Sequence, residues 1–337
     1  RRYTAVLPDI LDTTAPQLGS APVDPGVSRR AEWRPPPAGD TPPAVALALD
    51  EALARILERR RGAEPALRQW DGLIDPYRLG WLAVTEAGSR AIASGGAPGT
   101  LALDARFIWT RVDDPVSLGG LVRCLQGCAG AAAACGAVFA GASLAPGTNG
   151  SLGQASGLVD ITTATPATGN FPLQPGNFLF VAGQTRPELG GSDFALVGGL
   201  VRPQHRAAPR PTGQCLNVQR AVHRALGEGW ARGARACGPG GLALALAEIC
   251  RAAGVGAEVQ LSFAPVDPYY AYAADDAVLF AESPGRFVLE VSPDRAAGLA
   301  AVLASIPHAC FAVAGGNALR VHPRLPDSPD PVLRLAT

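Results

Sequence analysis

The sequence predicts a mixed α/β protein built as two domain-sized parts, with helices layered on mixed sheets. Three observations carry that prediction. Runs with apolar residues three to four positions apart alternate with short β-branched or aromatic runs in both halves of the chain. The 337 residues are enough for two cores of ordinary size. The texture also changes near residue 151, where strand candidates become frequent.

Residues 1–44 are proline-rich, including "EWRPPPAGDTPP", and read as an extended tether. "AVALALDEALARILERRRG" follows with helical spacing; its closing arginines favour a helix C-terminus and Gly62 stops it. In "DPYRLGWLAVTEAGSRAIASGG", Asp75 and Pro76 supply an N-cap and a first helical residue, and Gly95–Gly96 supply the stop. "TLALDARFIW" alternates as a strand does, and "PVSLGGLVRCLQGCAGAAAACG" is a long small-residue helix leading into the strand "AVFAG". These form a first domain over 45–150. A second domain over 151–330 opens with strands in "LVDITTATPATG" and "NFLFVAG". Helices are expected in "QRAVHRALGEGWARG", "GGLALALAEICRAAGVG" and "RAAGLAAVLASI". "AVLFAESPGRFVLEVSP" reads as two strands about a turn at Pro284–Gly285, and "CFAVAGGNALRV" as a closing hairpin.

Composition excludes some classes. Zero formal net charge leaves no surplus of cations to displace counterions, which argues against a nucleic-acid partner. No run of about 18 apolar residues is free of charges and breakers, so no membrane span is expected. Seven cysteines show no disulfide or CxxC spacing. Cys124, Cys128 and Cys135 read as core packing in a reducing cytoplasm. The chain opens on "RRYTAVLPDI" and holds no methionine, as a piece of a longer polypeptide would.

The stretch "RACGPGGLALALAEI", Arg235 to Ile249, poses the functional question. A glycine pair feeding a helix start is a common phosphate cradle, yet Arg235 to Pro239 offer no carboxylate, histidine or hydroxyl.

Several stretches, in order, resemble the synthetase part of phosphoribosylformylglycinamidine synthase, a member of the AIR-synthetase-like superfamily. "GQTRPELGGSDFALV" resembles that family's segment around ELGGS, and "AVLFAESPGRFVLEV" its LFSES-x-x-RF pair. "GGLALALAEI" resembles the helix after its HDxS(D/E)GG loop, and "LIDPYRLGWLAVTEAGSRAIASGGAP" its DPY-x-x-A…EA-x-x-N…GG helix. "SLGGLVRCLQGCAGAAAACGAVFAGASL" resembles the helix and strand that lead to its glycine–serine loop, and "EWRPP" and "RQWDG" also have counterparts. The resemblance runs from about Trp33 onward and covers the second of two synthetase repeats. It implies an AIR-synthetase-like two-domain fold and a part in purine biosynthesis by an ATP-dependent ligase. In that reaction ATP activates the formyl amide oxygen of a ribonucleotide, and ammonia from glutamine then displaces the phosphorylated oxygen to give an amidine. The implied cofactors are ATP or ADP with magnesium. The implied partners are a first synthetase repeat, or a second copy as a pseudo-dimer, with the glutaminase elsewhere.

The implied nucleotide and phosphate site takes in Glu86, Arg90, Asp104, Ser143, Gly190, Gly191, Ser192, Gly240, Gly241, Glu282 and Arg286. Several positions depart from the family pattern. Glu86 matches the glutamate of EA-x-x-N, but Arg90 stands at its asparagine. Arg235 and Ala236 stand at the histidine and aspartate of the HD loop, Gly238 and Pro239 at its serine and acidic positions. Asp104 is followed by Ala105 where the family has asparagine, which leaves capping as its other reading. The early strand aspartate has no counterpart, because "RQWDG" runs almost directly into "LIDPY". "GASLAPGTNG" keeps Ser143 in a shortened loop, and no strand of the family's PPT type follows it. Gly190–Ser192 also read as a tight turn, Gly240–Gly241 as close backbone packing, and Glu282 with Arg286 as a pair across a turn. His205, His223, His308 and His322 fit no triad and read as surface. A magnesium ion needs several oxygen ligands, so the sequence implies a degenerate site with no metal ligand set and no catalytic residue. The chain alone is then expected to be inactive. The rival reading is a non-enzymatic scaffold or interaction protein derived from the same family.

Overall fold

In the computed structural model, the described residues are 47–60, 75–110, 112–146, 157–164, 171–198, 214–271, 273–324 and 330–337. The proline-rich segment 1–44, the "RQWDG" stretch, Gly62 and His205 lie outside them.

Helix α1 (Leu49–Arg60) is followed by α2 (Pro76–Ala93), β1 (Ala102–Trp109), α3 (Pro115–Cys135), β2 (Val138–Pro146) and β3 (Gly157–Thr163). The three strands form one sheet in the order β2-β1-β3, with β1 parallel to β2 and antiparallel to β3. This sheet therefore ends at Thr163, beyond the boundary at residue 150 that the change of texture indicates. Alternation along β1 sends Leu103, Ala105, Phe107 and Trp109 under α2 and α3. Asp104 and Arg106 face the other way and are exposed.

The small residues of α2 and α3 have a packing reason. A Cβ on Gly80 would collide with the Cys124 carbonyl, and one on Gly127 with the Tyr77 carbonyl. The two backbones touch where their glycines cross. Cys124, Cys128 and Cys135 are buried in the same core, as expected, and Cys128 Sγ donates to the Gly80 carbonyl at 3.6 Å. By length and composition α3 is apolar enough to cross a bilayer, although Arg123 and its glycines interrupt the apolar run. In this fold 67% of its most apolar window is buried, which is how a core helix behaves.

The second sheet has seven strands in the order β10-β9-β6-β8-β4-β7-β5. They are β4 (Phe178–Ala182), β5 (Gly233–Cys237), β6 (Ala257–Gln260), β7 (Arg286–Val291), β8 (His308–Ala314), β9 (Ala318–His322) and β10 (Leu333–Ala336). Its helices are α4 (Asp193–Val197), α5 (Gln214–Gly227), α6 (Gly241–Ala253), α7 (Asp275–Phe280) and α8 (Ala296–Leu303). Helices α6 and α7 share one core with Leu179, Val181 and Val259, while α5 and α8 share another with Phe180, Phe287 and Leu289. Helix α1 precedes α2 in sequence but buries Ala52, Leu53 and Ile56 in the second sheet's core.

Two sequence expectations are corrected. "AVLFAESPGRFVLEV" is not a strand pair: its first part is the end of α7, and only Arg286–Val291 is a strand. Short apolar runs are ambiguous between helix and strand. Here Asp275 and Asp276 open the helix, and Phe280 stacks on Phe194 at 4.6 Å between centroids. "CFAVAGGNALRV" is not a hairpin, because β6 lies between β8 and β9 and pairs with both. Its backbone is admitted there because Gly256 has no side chain to strike Ala318.

Candidate functional site

Asp75 accepts the Tyr77 amide at 3.0 Å and Pro76 opens α2, as the sequence indicates. The register of that helix brings Glu86, Arg90 and Ser94 to the side that meets β5. Strand β5 forms the edge of the second sheet, with Arg235 opposite Val288 of β7. The chain then turns through Gly238 and Pro239 into Gly240 and Gly241, whose φ values are 76° and 65°. Gly241 is fixed by contact as well. A Cβ there would lie 2.5 Å from the Leu279 carbonyl and 2.6 Å from that of Ala281. Close backbone packing thus accounts for Gly241.

Between α2, β5, the Gly238–Pro239 turn and α6 lies a cavity of about 230 Å³, with Arg60 at the end of α1 completing its wall. Its charges are Arg60, Arg90 and Arg235 against Glu86 and Glu248. Arg60 Nε reaches Asp193 Oδ2 at 2.6 Å, and Arg235 forms an ion pair with Glu248. Arg90 Nη2 donates to the Ile161 carbonyl at 3.2 Å. Glu86 is 5% exposed, and its Oε1 lies 3.6 Å from where a Cβ on Gly238 would stand. Small apolar groups form the rest, among them Ala93, Ala236, Leu244 and Ala245. Cys237 also lines it. Burial pushes its thiol up to about 11, against the opposing pull of Arg286, Arg235 and a Val288 backbone bond, so the thiol is neutral at pH 7.

A second polar group lies behind the glycine turn. Glu282, 3% exposed, accepts the Gly240 amide at 2.8 Å and the Asp193 amide at 2.9 Å, both on Oε1. The amide a phosphate would use thus bonds to a carboxylate of the same chain. Arg286 is fully buried and donates to Thr185 Oγ1 at 2.7 Å and to the Ala281 carbonyl. Burial draws its guanidinium below the usual arginine range, and nearby Cys237 and Glu282 draw it back. Ser192 is committed to capping α4: its Oγ accepts from the Ala195 amide at 3.2 Å and donates to the Leu189 carbonyl at 2.7 Å. Gly191, at φ 75°, makes the turn with Gly190 that delivers it.

The structure divides the sequence-predicted residues among three places. Glu86 and Arg90 line the cavity. Gly190, Gly191, Ser192, Gly240, Gly241, Glu282 and Arg286 belong to the adjoining buried turns. Asp104 and Ser143 are on the exposed face of the first sheet. The capping reading of Asp104 is corrected as well, since β1 runs straight through it with Gly141 and Thr162 as its neighbours. Arg60, Ser94 and Glu248 line the cavity without having been singled out. Arg60 reads as an ordinary helix end, and Glu248 carries no motif of its own. Two of the histidines have local contacts: His308 stacks on Phe180 at 6.5 Å between centroids, and His322 Nε2 meets Glu258 Oε2 at 2.9 Å.

This donor set does not suit a hard divalent cation. Magnesium needs near-octahedral oxygen donors and charge compensation. Glu248 is engaged by Arg235, and Glu86 shares its wall with Arg90. Among the described residues no three His, Cys, Asp or Glu side chains converge on one point.

Comparison with known proteins points the same way as the motifs. Residues 174–315 match the family model for the C-terminal domain of AIR synthase related proteins. Phosphoribosylformylglycinamidine synthase subunit PurL of Moorella thermoacetica is 38% identical over 153 residues, 43% of this chain and 19% of that protein. The same subunit of a Synechococcus strain is 29% identical over 233 residues, 65% of this chain and 29% of that one. The fold matches T. maritima PurL complexed with FGAR, with a TM-score of 0.62 at 18% identity over 80% of this chain and 44% of that one. The matched domain is of the AIR synthase related type, and the chain is similar to PurL in sequence and in fold. The fold is wider than PurL, because the hydrogenase maturation protein HypE also matches, with a TM-score of 0.54 at 18% identity over 72% of this chain and 78% of that one. The chain spans less than a third of the length of either PurL relative.

Proposed function

We propose that this chain is the C-terminal synthetase half of a phosphoribosylformylglycinamidine synthase-like protein, and that this half is structural. The whole protein would carry out ATP-dependent amidination of formylglycinamide ribonucleotide in the cytoplasm, with its catalytic site in a first synthetase repeat and its glutaminase elsewhere. Here the repeat divides into a first unit that closes with β3 and a second that begins near β4, and the cavity lies where they meet.

The observation that carries the reading is that the cavity's cations are engaged by groups of the chain itself. Arg60 is bound to Asp193, Arg235 to Glu248, and Arg90 donates to the Ile161 carbonyl. A magnesium–nucleotide complex brings a crowd of phosphate oxygens, which enzymes hold with unpaired cations, metal ions and backbone N–H groups. The residues that would gather the ion in relatives are replaced at Arg90, Arg235, Ala236 and Pro239. A half that completes its partner's site keeps its core while losing these ligands.

The test is calorimetry of the chain with magnesium-ADP, on wild type and Arg90→Ala, beside an assay for ATP turnover with formylglycinamide ribonucleotide and ammonia. No magnesium-dependent heat and no turnover are expected. Magnesium-dependent binding, or amidine formation by this chain alone, refutes the proposal.

A further inference from the structure

We propose that the exposed aromatic loop between β6 and α7 is a docking face for the chain's own proline-rich segment, residues 34–43. The inference stands apart from the structural-half reading, because none of the loop's residues lines the cavity.

Five large hydrophobic side chains are exposed among the described residues. The two most exposed are aromatic, Tyr269 at 85% and Phe263 at 61%, and they lie six positions apart in this one loop. Tyr270 meets Tyr269 edge-on at 4.9 Å between centroids, so the rings form a small platform. Exposed apolar patches rimmed by polar groups mark interaction surfaces.

The loop holds these rings on a braced backbone. Thr185 donates its amide to the Pro265 carbonyl at 2.8 Å, and the Asp267 amide returns to the Thr185 carbonyl at 2.9 Å. Asp267 accepts Arg186 Nε at 3.1 Å on one carboxylate oxygen and the Tyr269 amide at 3.1 Å on the other. Arg324 donates to the Ala271 and Ala273 carbonyls at 3.2 and 3.3 Å. Aromatic rings fixed in this way lose little freedom when a ligand covers them.

Braced aromatic rings suit one class of peptide above others. A polyproline ridge packs its rings between aromatic side chains, and its proline residues bring no N–H group that needs a new partner. The segment "RPPPAGDTPP", residues 34–43, is half proline. The fold also leads the chain to the right place. Leu47 and Leu49 pack on the same core as Leu261 and Ala264, so α1 enters on the side of the second sheet that carries the loop. Arg60 holds the far end of α1 at Asp193, and α1 also packs on β10, the neighbour of β9. The turn at Leu261–Phe263 touches β8 and β9, and Arg324 follows directly on β9. From β10 to β8 is three strand spacings, or about 14 Å. Pro43 and Pro35 precede Leu47 by four and twelve residues, which at ~3.1 Å each span roughly 12 to 37 Å. The segment therefore reaches the rings without displacing α1.

The test is hydroxyl-radical footprinting of the full 337-residue chain, read by mass spectrometry at Phe263, Tyr269 and the prolines of 34–43. The control residue is the exposed Val313. A tether this short gives an effective concentration of about 1 mM, and an intrinsic Kd on the order of 0.1 mM is expected for so small a contact. Tyr269 should then be oxidised about tenfold more slowly in wild type than in a variant with Pro35, Pro36, Pro37, Pro42 and Pro43 all changed to serine. A synthetic peptide of residues 31–44, added to that variant, should restore half the protection near 0.1 mM. The reciprocal variant, Phe263→Ser with Tyr269→Ser, changes exposed side chains only and should speed oxidation of the prolines several-fold. Val313 should not respond in either variant, and wild-type protection should not change between 1 and 50 µM chain. Equal Tyr269 oxidation with and without the prolines overturns the inference, as does a peptide that restores nothing. Protection lost on dilution gives the loop to a second copy and overturns it too.

Discussion

Replacing Glu282 by alanine and by glutamine separates two effects that meet on one side chain. Glu282 Oε1 accepts the amides of Gly240 and Asp193, at 2.8 and 2.9 Å, and its charge lies near the buried Arg286. Glu282→Ala removes the acceptor and the charge. Glu282→Gln removes the charge and keeps an oxygen of the same reach. The Arg286 contribution is common to both variants, so their difference isolates the two hydrogen bonds. An orphaned buried N–H costs about 1–3 kcal/mol, and two of them cost about 2–6 kcal/mol. Relaxation of the two turns recovers part of that, which leaves an expected gap of about 3 kcal/mol between alanine and glutamine. The assay is equilibrium urea unfolding followed by tryptophan fluorescence. For a chain of this size the gap corresponds to a separation of roughly 1 M in midpoint. Midpoints that coincide for the two variants would mean that the carboxylate is not what joins the glycine turn to α4, and the account of the occupied amide would fail.

Gly127→Ala should destabilise the first unit by about 2–3 kcal/mol, since its Cβ has no room against the Tyr77 carbonyl where α2 crosses α3; thermal unfolding reads the loss. Burial raises the Cys237 thiol from 9.0 to about 11, so the unfolded chain releases that proton first, and the thiol's share of stability is complete below pH 9 and lost as pH rises toward 11. Cys237→Ala should flatten the alkaline fall in stability across that window by on the order of 2 kcal/mol, measured as urea midpoints from pH 8 to 11. Restoring the family's donors with Arg90→Asn, Arg235→His and Ala236→Asp together should create magnesium-dependent ADP binding in the millimolar range or tighter. Calorimetry that finds none would show that these three positions do not decide magnesium binding.

Much of this fold is legible in the sequence because its signals are local. Asp75–Pro76 opens α2, and the alternation of Leu103, Ala105 and Phe107 marks β1. The misread segments fail for a shared reason: their state is set by distant neighbours. β6 has four residues and exists because β8 and β9 flank it. α7 is helical because Phe280 has Phe194 to stack on, 86 positions away in sequence. The same logic divides the site. Glu86 and Arg90 are legible because the resemblance to EA-x-x-N marks both positions on one helix. Arg60 and Glu248 come from separate helices, and only the fold sets them on one cavity.

The surviving glycines are explained by packing and by an internal bond together. Gly241 stays because the α7 carbonyls press against its backbone, a constraint that operates whether or not a nucleotide binds. Gly240 stays because its φ of 76° delivers its amide to Glu282. By contrast, a carboxylate buried without a partner costs several kcal/mol, and at the cavity Glu248 is held by Arg235. Packing and one internal bond thus explain the glycine turn without a ligand. The turn reports on the fold, and the charges around it are what report on binding.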